Sequence, residues 1–226
     1  MPTTADDTEA APLVTVVCPT YNRRAFLPFM LAQFFRMDYP NKELLVLDDS
    51  PASNADLFEG FEGRGVRYVY DAQKRTIAEK RARLNALARG EYILCMDDDD
   101  VQHPDRIRHS VAALRASGGA KALAGATLLY VYYKALDRVY VFGPYADNHG
   151  THGTMCYTRA YAAAHGYDPA RSHAEEARFT NDFTEPMAQL DPRRTILCIA
   201  HGANTFDKNT VIQFARETTL GLRDFW

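Results

Sequence analysis

Short apolar runs rich in Val, Ile and Leu recur along the first half of the chain, and polar residues follow each run. Runs of five or six such residues are typical of buried β-strands. The pattern therefore predicts four strands, at residues 13–18, 43–47, 66–70 and 91–96.

Two segments between these strands carry apolar residues at helical spacing, at residues 24–36 and 76–88. Thr76 is a suitable N-cap for the second helix, and Gly90 is expected to end it as a C′ glycine. The alternation of strands and helices over residues 13–115 predicts a mostly parallel central sheet flanked by helices, an α/β fold.

The pattern changes after about residue 122. Two strand-like runs, 127–133 and 138–142, flank four turn residues and predict a hairpin, and a further strand is expected at 195–199. The glycine- and histidine-rich loop 148–153 is expected to close over a ligand.

These elements predict a single domain made of two halves that complete one fold. The predicted organisation is a disordered tail at 1–11, a domain at 12–205 divided into halves 12–125 and 126–205, and a C-terminal helical segment at 206–226.

Composition excludes several classes of protein. Of the 226 residues, 46% are hydrophobic and 24% charged, which excludes a disordered chain or a coiled coil. The net charge of −3 argues against a nucleic-acid partner, and the longest nearly apolar stretch, 12 residues at 122–133, is too short for a transmembrane segment. The four cysteines form no CxxC pair, so we expect reduced thiols and a cytoplasmic location, although the spacing alone also allows two disulfides.

Polar clusters follow three of the predicted strands, at residues 19–22, 48–49 and 97–100. In parallel sheets ligands bind outside the carboxyl ends of the strands. The sequence therefore predicts a ligand site at one edge of the sheet.

The most distinctive of these clusters is a run of four aspartates, Asp97 to Asp100. Burying adjacent carboxylates without a cation is unfavourable, and oxygen ligands suit Mn²⁺ or Mg²⁺ together with substrate phosphates. The alternative is a solvated acidic turn.

A basic segment offers a partner for an anionic ligand. Residues 74–89 contain six basic side chains and one acidic side chain, which suits a diphosphate, although a solvated helix face is the alternative. No GxxxxGK[ST] or GxGxxG loop occurs anywhere in the chain, so a metal ion is expected to bind the phosphates.

Three motifs in combination give the chain a resemblance to a known family. VTVVCPTYNRRAFLPFMLAQFF at 14–35, LLVLDDS at 44–50 and IAEKRARLNALARGEYILCMDDDDVQHP at 77–104 resemble a family 2 glycosyltransferase of the GT-A fold. The resemblance covers residues 12–108. It implies a nucleotide-binding half followed by an acceptor half.

The resemblance also implies roles for individual residues. Ala78 and Ala82 stand where the family motif often has glycine and asparagine. The implied metal ligands are Asp99 and His201, and a hydrogen-bonded structural histidine is the alternative for His201. The implied nucleotide-binding residues are Pro19, Thr20, Tyr21, Arg23, Asp48, Lys80, Arg81, Asp97 and Asp98.

The family takes its general base from an acidic pair downstream of the aspartates. Here the match is Glu175-Glu176, with Glu176 as the expected base and Glu175 as the alternative, and Asp182 and Glu185 are nearby competitors. A zinc site at His149 and His152 is not favoured, because no cysteine lies at zinc spacing.

The resemblance implies a metal-dependent inverting glycosyltransferase. It would move a sugar from a nucleoside-diphosphate sugar, with UDP as the expected nucleotide, to a hydroxyl of a glycan or glycoconjugate acceptor. The alternatives are a non-catalytic nucleotide-sugar-binding module of a larger glycan-building protein and a nucleotidyltransferase, which would release pyrophosphate instead of a nucleoside diphosphate.

Overall fold

The structure is a computed structural model that describes residues 11–169 and 176–225. Within these ranges the α-helices are α1 Leu27–Arg36, α2 Ile77–Leu87, α3 Arg106–Ala116, α4 Arg159–Ala164 and α5 Glu176–Phe179. The strands are β1 Val14–Thr20, β2 Lys42–Asp48, β3 Val66–Tyr70, β4 Tyr92–Cys95, β5 Val101–Gln102, β6 Leu123–Gly125, β7 Leu129–Tyr133, β8 Arg138–Phe142, β9 Cys156–Thr158, β10 Met187–Gln189, β11 Ile196–Ala200 and β12 Arg216–Glu217.

A seven-stranded sheet with the order β10-β6-β9-β4-β1-β2-β3 forms the centre of the fold. Its pairs are parallel except those made by β9, which is antiparallel to both of its neighbours. The prediction of a mostly parallel sheet is therefore confirmed. Strands from both sides of the predicted boundary at residue 125 belong to this sheet.

Helices cover both faces of the large sheet because its central strands are apolar on both sides. Val16 of β1 faces the cluster that contains α1 and α3, whereas Val17 faces the cluster that contains α2 and α4. Both side chains are buried, so β1 lies in the middle of the core.

Helix α2 begins as the sequence predicts and ends differently. Thr76 and Glu79 form a capping box, in which each side chain accepts a hydrogen bond from the other residue's backbone N–H. The helix ends at Leu87, and Ala88 is already extended. Gly90 is therefore not a C′ glycine: a Cβ there would lie 2.5 Å from the Thr15 backbone nitrogen, so glycine allows the close approach to β1.

A second sheet of five strands, with the order β12-β8-β7-β11-β5, lies in the second half of the chain. The predicted hairpin is confirmed as the antiparallel pair β7–β8. Strand β11 lies parallel to β7 and antiparallel to β5, which follows the aspartate run directly. This separate sheet is not predicted from the sequence.

The structure can be compared with the prediction at the C-terminal end of the chain but not over the first ten residues. Residues 1–10 of the predicted tail lie outside the described residues. The predicted C-terminal helical segment contains no α-helix over residues 206–225. It consists of two 3₁₀ helices, Lys208–Phe214 and Leu222–Phe225, on either side of β12. Phe225 is buried against Tyr130, which attaches the segment to the second sheet.

All four cysteines are buried free thiols, in agreement with the prediction of a reduced protein. Over the ranges 11–169 and 176–225, no helix has the length and apolar character that crossing a membrane requires.

Candidate functional site

A central cleft of about 1110 Å³ opens at the carboxyl ends of β1 and β4. Most of the residues selected from the sequence line it, namely Pro19, Thr20, Tyr21, Arg23, Lys80, Arg81, Asp97, Asp98, Asp99 and Glu176. Residues from the N-terminus of α2, from the loop before β9 and from the C-terminal segment complete its walls. The cleft thus lies at the edge of the sheet where the sequence predicts a ligand site, and ligand binding there stays a prediction.

Asp98 is buried in the floor of the central cleft. It accepts a hydrogen bond from the Thr20 hydroxyl at 2.7 Å and lies 3.3 Å from an Arg23 nitrogen. Burial raises the pKa of Asp98 to about 6, and the contacts with Thr20 and Arg23 oppose this rise. These contacts connect the end of β1 to the aspartate run.

Asp99 is the point where three nitrogen-bearing side chains meet. Its Oδ2 atom contacts the Arg23 guanidinium, lies 3.1 Å from His201 Nε2, and accepts a hydrogen bond from Asn204 Nδ2 at 3.2 Å. The Ala203 N–H donates to His201 Nδ1, so in this arrangement the ring proton is on Nε2 and points at Asp99. Burial lowers the pKa of His201, which favours the neutral imidazole.

Asp99 and His201 carry the oxygen and nitrogen atoms that the predicted divalent ion would need, and their 3.1 Å separation is that of the hydrogen bond between His201 Nε2 and Asp99 Oδ2. His201 would bind the ion through Nε2 only with its ring proton on Nδ1 instead. No group of three His, Cys, Asp or Glu side chains that could hold a metal occurs in the described part of the chain. Such a pair suits an ion that takes its remaining ligands from water and substrate phosphates.

Asp100 turns away from the cleft into the second sheet. It is buried, and Oδ1 accepts a hydrogen bond from the Ile199 N–H of β11 at 2.9 Å. Burial raises the pKa of Asp100, and the positive charge of Lys208 partly opposes this effect. Asp100 therefore holds the aspartate run against β11.

Lys80 is the most deeply buried basic residue in the cleft wall. Its ammonium group pairs with Asp49 at 2.7 Å and donates to the Thr20 carbonyl at 3.0 Å. The Arg75 backbone N–H donates to the other oxygen of Asp49 at 2.6 Å. Lys80 thus joins α2 to the ends of β1 and β2.

Asp48 lies outside the central cleft. It is fully buried, and its carboxylate accepts hydrogen bonds from Ser50, Asn54 Nδ2 and the Tyr68 hydroxyl, the last two at 2.7 Å. The side chain therefore shapes the loop after β2, and a direct contact with the nucleotide stays a prediction.

Some of the positive charge on and around α2 is neutralised within the protein. Arg75 and Arg83 both pair with Asp71, which precedes the stretch counted in the sequence. Lys74 lies over the ring of Tyr21, with its ammonium 2.8 Å from the centroid. The basic wall of the cleft is consequently less charged than the sequence count indicates.

Glu176 is the first residue of α5 and lines the cleft, whereas Glu175 lies outside the described residues. Among residues that the structure describes, the cleft lining includes neither Asp182 nor Glu185. Glu185 instead lies 3.4 Å from His165. Of the described members of this group, Glu176 is therefore the one that lines the cleft, and its role as the base stays a prediction.

His149 and His152 have different surroundings. His149 stacks on Phe183, whereas His152 is buried within hydrogen-bonding distance of the Tyr167 hydroxyl, at 2.9 Å, and lies 3.6 Å from Cys95 Sγ. The loop 148–153 supplies the lining residues 151–153. Its closure over a ligand stays a prediction.

Sequence reasoning missed two residues that shape the site. Asn204 orients the Asp99 carboxylate, and Lys208 lies close enough to the aspartates for their charges to raise its pKa against burial. Both lie in the segment that follows β11. No short motif marks them, although their proximity to His201 in the sequence is a usable signal.

Residues 15–127 match the family model described as Glycosyl transferase family 2. One relative is WcaA of Escherichia coli K12, which is named as a colanic acid biosynthesis glycosyl transferase. It is 29% identical to this chain over 99 residues, which are 42% of this chain and 36% of that protein. Glycosyltransferase GlyG of Streptococcus pneumoniae serotype 4 is 28% identical over 92 residues, 39% of this chain and 31% of that protein. The matched regions thus span about a third of these relatives.

Solved structures share the fold. A mannosyltransferase from Pyrobaculum calidifontis, in complex with GDP-Man and Mn²⁺, superposes with a TM-score of 0.67 at 14% identity over 86% of this chain and 59% of that chain. Residues 1–349 of TarS from S. aureus, in complex with UDP-GlcNAc, superpose with a TM-score of 0.62 at 16% identity over 84% of this chain and 59% of that chain. The likeness confirms the predicted GT-A type of α/β fold.

Proposed function

This chain is a member of glycosyl transferase family 2, and from that premise we propose that it transfers a sugar from a nucleoside-diphosphate sugar to a hydroxyl of a glycan or glycoconjugate acceptor. The observation that carries the proposal is the convergence of Thr20, Arg23 and residues 97–99 on one cleft at the carboxyl ends of β1 and β4. Both superposed complexes contain a nucleotide sugar.

The donor occupies the wall formed by the end of β1 and by α2. Lys80 and Arg81 line this wall and supply positive charge for the diphosphate, and Tyr21 lines it with the Lys74 ammonium over its ring. We propose UDP as the nucleotide, in line with the TarS complex.

Asp99 and His201 would hold a divalent ion, Mn²⁺ or Mg²⁺. When bound, such an ion acts as a Lewis acid that stabilises the diphosphate as a leaving group. Asn204 fixes the Asp99 carboxylate by its hydrogen bond, and Thr20 does the same for Asp98.

Glu176 is the proposed general base. Its carboxylate takes the proton from the acceptor hydroxyl while the oxygen forms a bond to the anomeric carbon of the donor sugar. The bond between that carbon and the diphosphate oxygen breaks, its electron pair leaves with the nucleoside diphosphate, and the configuration inverts. The four buried free thiols support a reducing, cytoplasmic location for this reaction.

Product analysis tests the proposal. The chain is incubated with UDP-GlcNAc, UDP-glucose, GDP-mannose or UTP, each with Mn²⁺ and with EDTA, and the released nucleotide or pyrophosphate is identified by ion-exchange chromatography. Metal-dependent release of a nucleoside diphosphate supports a glycosyltransferase. Donor binding without any release would instead support a non-catalytic binding module, and pyrophosphate release from a nucleoside triphosphate would support a nucleotidyltransferase.

A further inference from the structure

Arg23 occupies an unusual position for a residue that lines a ligand cleft. Its side chain is only 13% exposed, and among the described residues its guanidinium hydrogen bonds all go to Asp98 and Asp99. The guanidinium carbon lies 5.2 Å from the Phe26 ring centroid, and Phe26 in turn stacks on His201. The positively charged Arg23 side chain therefore lies against the same carboxylates that are expected to face a divalent metal ion.

The surroundings of Asp99 Oδ2 explain why the position of Arg23 matters for metal binding. The oxygen faces three N–H groups, from Arg23, His201 and Asn204. These donors occupy the lone pairs that an ion would use, because a carboxylate oxygen bonded to N–H groups has little capacity left for a metal. At least one donor has to leave before the oxygen can become a ligand, and His201 can bind the same ion only after its Nε2 proton has moved to Nδ1.

Two of the three donors are held in place by the backbone. Asn204 donates to the Ile199 carbonyl at 3.1 Å and accepts from the His201 N–H at 2.7 Å. His201 Nδ1 accepts from the Ala203 N–H at 3.1 Å. The guanidinium of Arg23 has no such backbone anchor among the described residues, so it is the donor that can move with the smallest loss of other contacts.

We propose that Arg23 is an internal counter-cation, which neutralises the Asp98–Asp99 pair before the donor binds and leaves it when a divalent ion arrives with the nucleotide. This inference rests on the proposed function. Because Arg23 lines the cleft, the phosphates of the donor offer its guanidinium new charged acceptors in exchange for the carboxylates. The ion consequently binds weakly to the empty site and tightly together with the diphosphate.

Mn²⁺ binding measured by electron paramagnetic resonance tests this inference without any turnover. The free Mn²⁺ signal is followed during titration of the wild-type chain, Arg23→Gln, Arg23→Lys and Arg24→Gln, each without nucleotide and with UDP, against UDP and Mn²⁺ alone as the baseline. Arg24→Gln is the matched control, because it removes the same charge from an exposed arginine that pairs with Asp56.

Without nucleotide, we expect Arg23→Gln to bind Mn²⁺ at least about tenfold more tightly than the wild type, because removal of the cation leaves two buried carboxylates unneutralised. Arg23→Lys keeps the charge but loses the planar fork, so about a threefold gain is expected. Arg24→Gln is expected to stay within about twofold of the wild type, because charges on the surface are screened. With UDP present, the difference in Mn²⁺ affinity between Arg23→Gln and the wild type should become smaller.

The outcomes separate this inference from the proposed function. If the wild type binds Mn²⁺ with UDP but neither Arg23 variant binds it more tightly without UDP, the inference is wrong and the metal-dependent donor site stands. Absence of Mn²⁺ binding to every variant, with and without UDP, would overturn both. Circular dichroism of each variant verifies that it is folded.

Discussion

At the scale of single residues, Lys80 lies both in a buried ion pair and in the wall of the central cleft. Its ammonium group is buried between Asp49 and the Thr20 carbonyl, at the point where β1, β2 and α2 meet. Removal of one partner from a buried ion pair leaves an uncompensated charge, which is strongly unfavourable. Asp49, with no exposed side-chain surface, would be that charge.

We therefore expect Lys80→Met to lower the free energy of unfolding by about 3 kcal/mol and to weaken UDP binding. Arg83→Met on the same helix is the control, because Arg83 is 42% exposed and its pair with Asp71 is solvated. Its effect should stay below about 1 kcal/mol. Urea denaturation of both variants checks this, and equal losses would contradict the assigned position of Lys80.

Glu176 allows the base assignment to be tested separately from donor binding. Glu176→Gln removes the proton acceptor but keeps the size of the side chain, so the transfer rate should fall by about 10²–10⁴-fold while UDP affinity is retained. Single-turnover kinetics and calorimetry measure the two quantities.

Glu185→Gln is the control for this prediction, since Glu185 contacts His165 and does not line the cleft within the described part of the chain. If Glu175→Gln abolishes transfer while Glu176→Gln remains active, the base is the preceding residue of the acidic pair.

At the scale of elements, the turn between α2 and β4 depends on a close backbone approach. A Cβ on Gly90 would lie 2.5 Å from the Thr15 nitrogen and 2.7 Å from the Leu13 carbonyl oxygen. Backbone atoms cannot give way as a flexible side chain would, so Gly90→Ala should lower stability by about 2 kcal/mol or more.

Gly63→Ala is the matched control for this substitution, because no atom lies within 4 Å of the Cβ that it would add. It should leave the thermal midpoint unchanged or slightly raised, because alanine restricts the unfolded chain. A similar loss of stability in both variants, seen by differential scanning calorimetry, would contradict the close approach at Gly90.

The short helix α5, which carries Glu176, is held in place by Tyr167. The Tyr167 ring stacks on Phe179 with centroids 4.4 Å apart, and its hydroxyl lies 2.9 Å from His152 Nε2. His152 lines the cleft, so these contacts connect the cleft wall to the helix that bears the proposed base.

Tyr167→Phe keeps the stacking but removes the hydroxyl. We expect a loss of about 1–2 kcal/mol in stability, since a buried partner is left unsatisfied, and a lower transfer rate with unchanged UDP affinity. Tyr132→Phe, whose hydroxyl contacts Asp137 at the surface, is the control and should alter neither quantity. An unchanged transfer rate in Tyr167→Phe would show that α5 does not need this contact.

At the scale of the whole molecule, the parts that the sequence predicts are those with strong local patterns. Strands β1 to β4 and helix α2 have long apolar runs or a capping residue, and the polar residues after β1 and β4 meet because parallel strands end at one edge. The second sheet escapes prediction because β5 and β12 have two residues each, too few for a pattern.

The residues of the site also divide into those that the local sequence pattern predicts and those that it does not. Thr20 ends β1 and Arg23 and Asp99 lie shortly after strands, so their positions in the sequence identify them. Asn204 and Lys208 approach the aspartates only because β11 pairs with β5 and β7, a long-range arrangement that a single sequence does not encode locally. The buried state of Asp48 likewise depends on Tyr68, a residue of the neighbouring strand.

Thermal unfolding with nucleoside diphosphates tests most directly whether the central cleft is a metal-dependent donor site. The wild-type chain and Asp99→Asn are heated with UDP, GDP or dTDP, each with Mn²⁺, Mg²⁺ or EDTA. A ligand at about 100 times its dissociation constant stabilises by about 2.7 kcal/mol, so the account predicts a clear rise in Tm for the wild type with UDP and Mn²⁺. The rise should vanish with EDTA and in Asp99→Asn. An unchanged Tm with every nucleotide, or an equal rise in Asp99→Asn, would contradict the account.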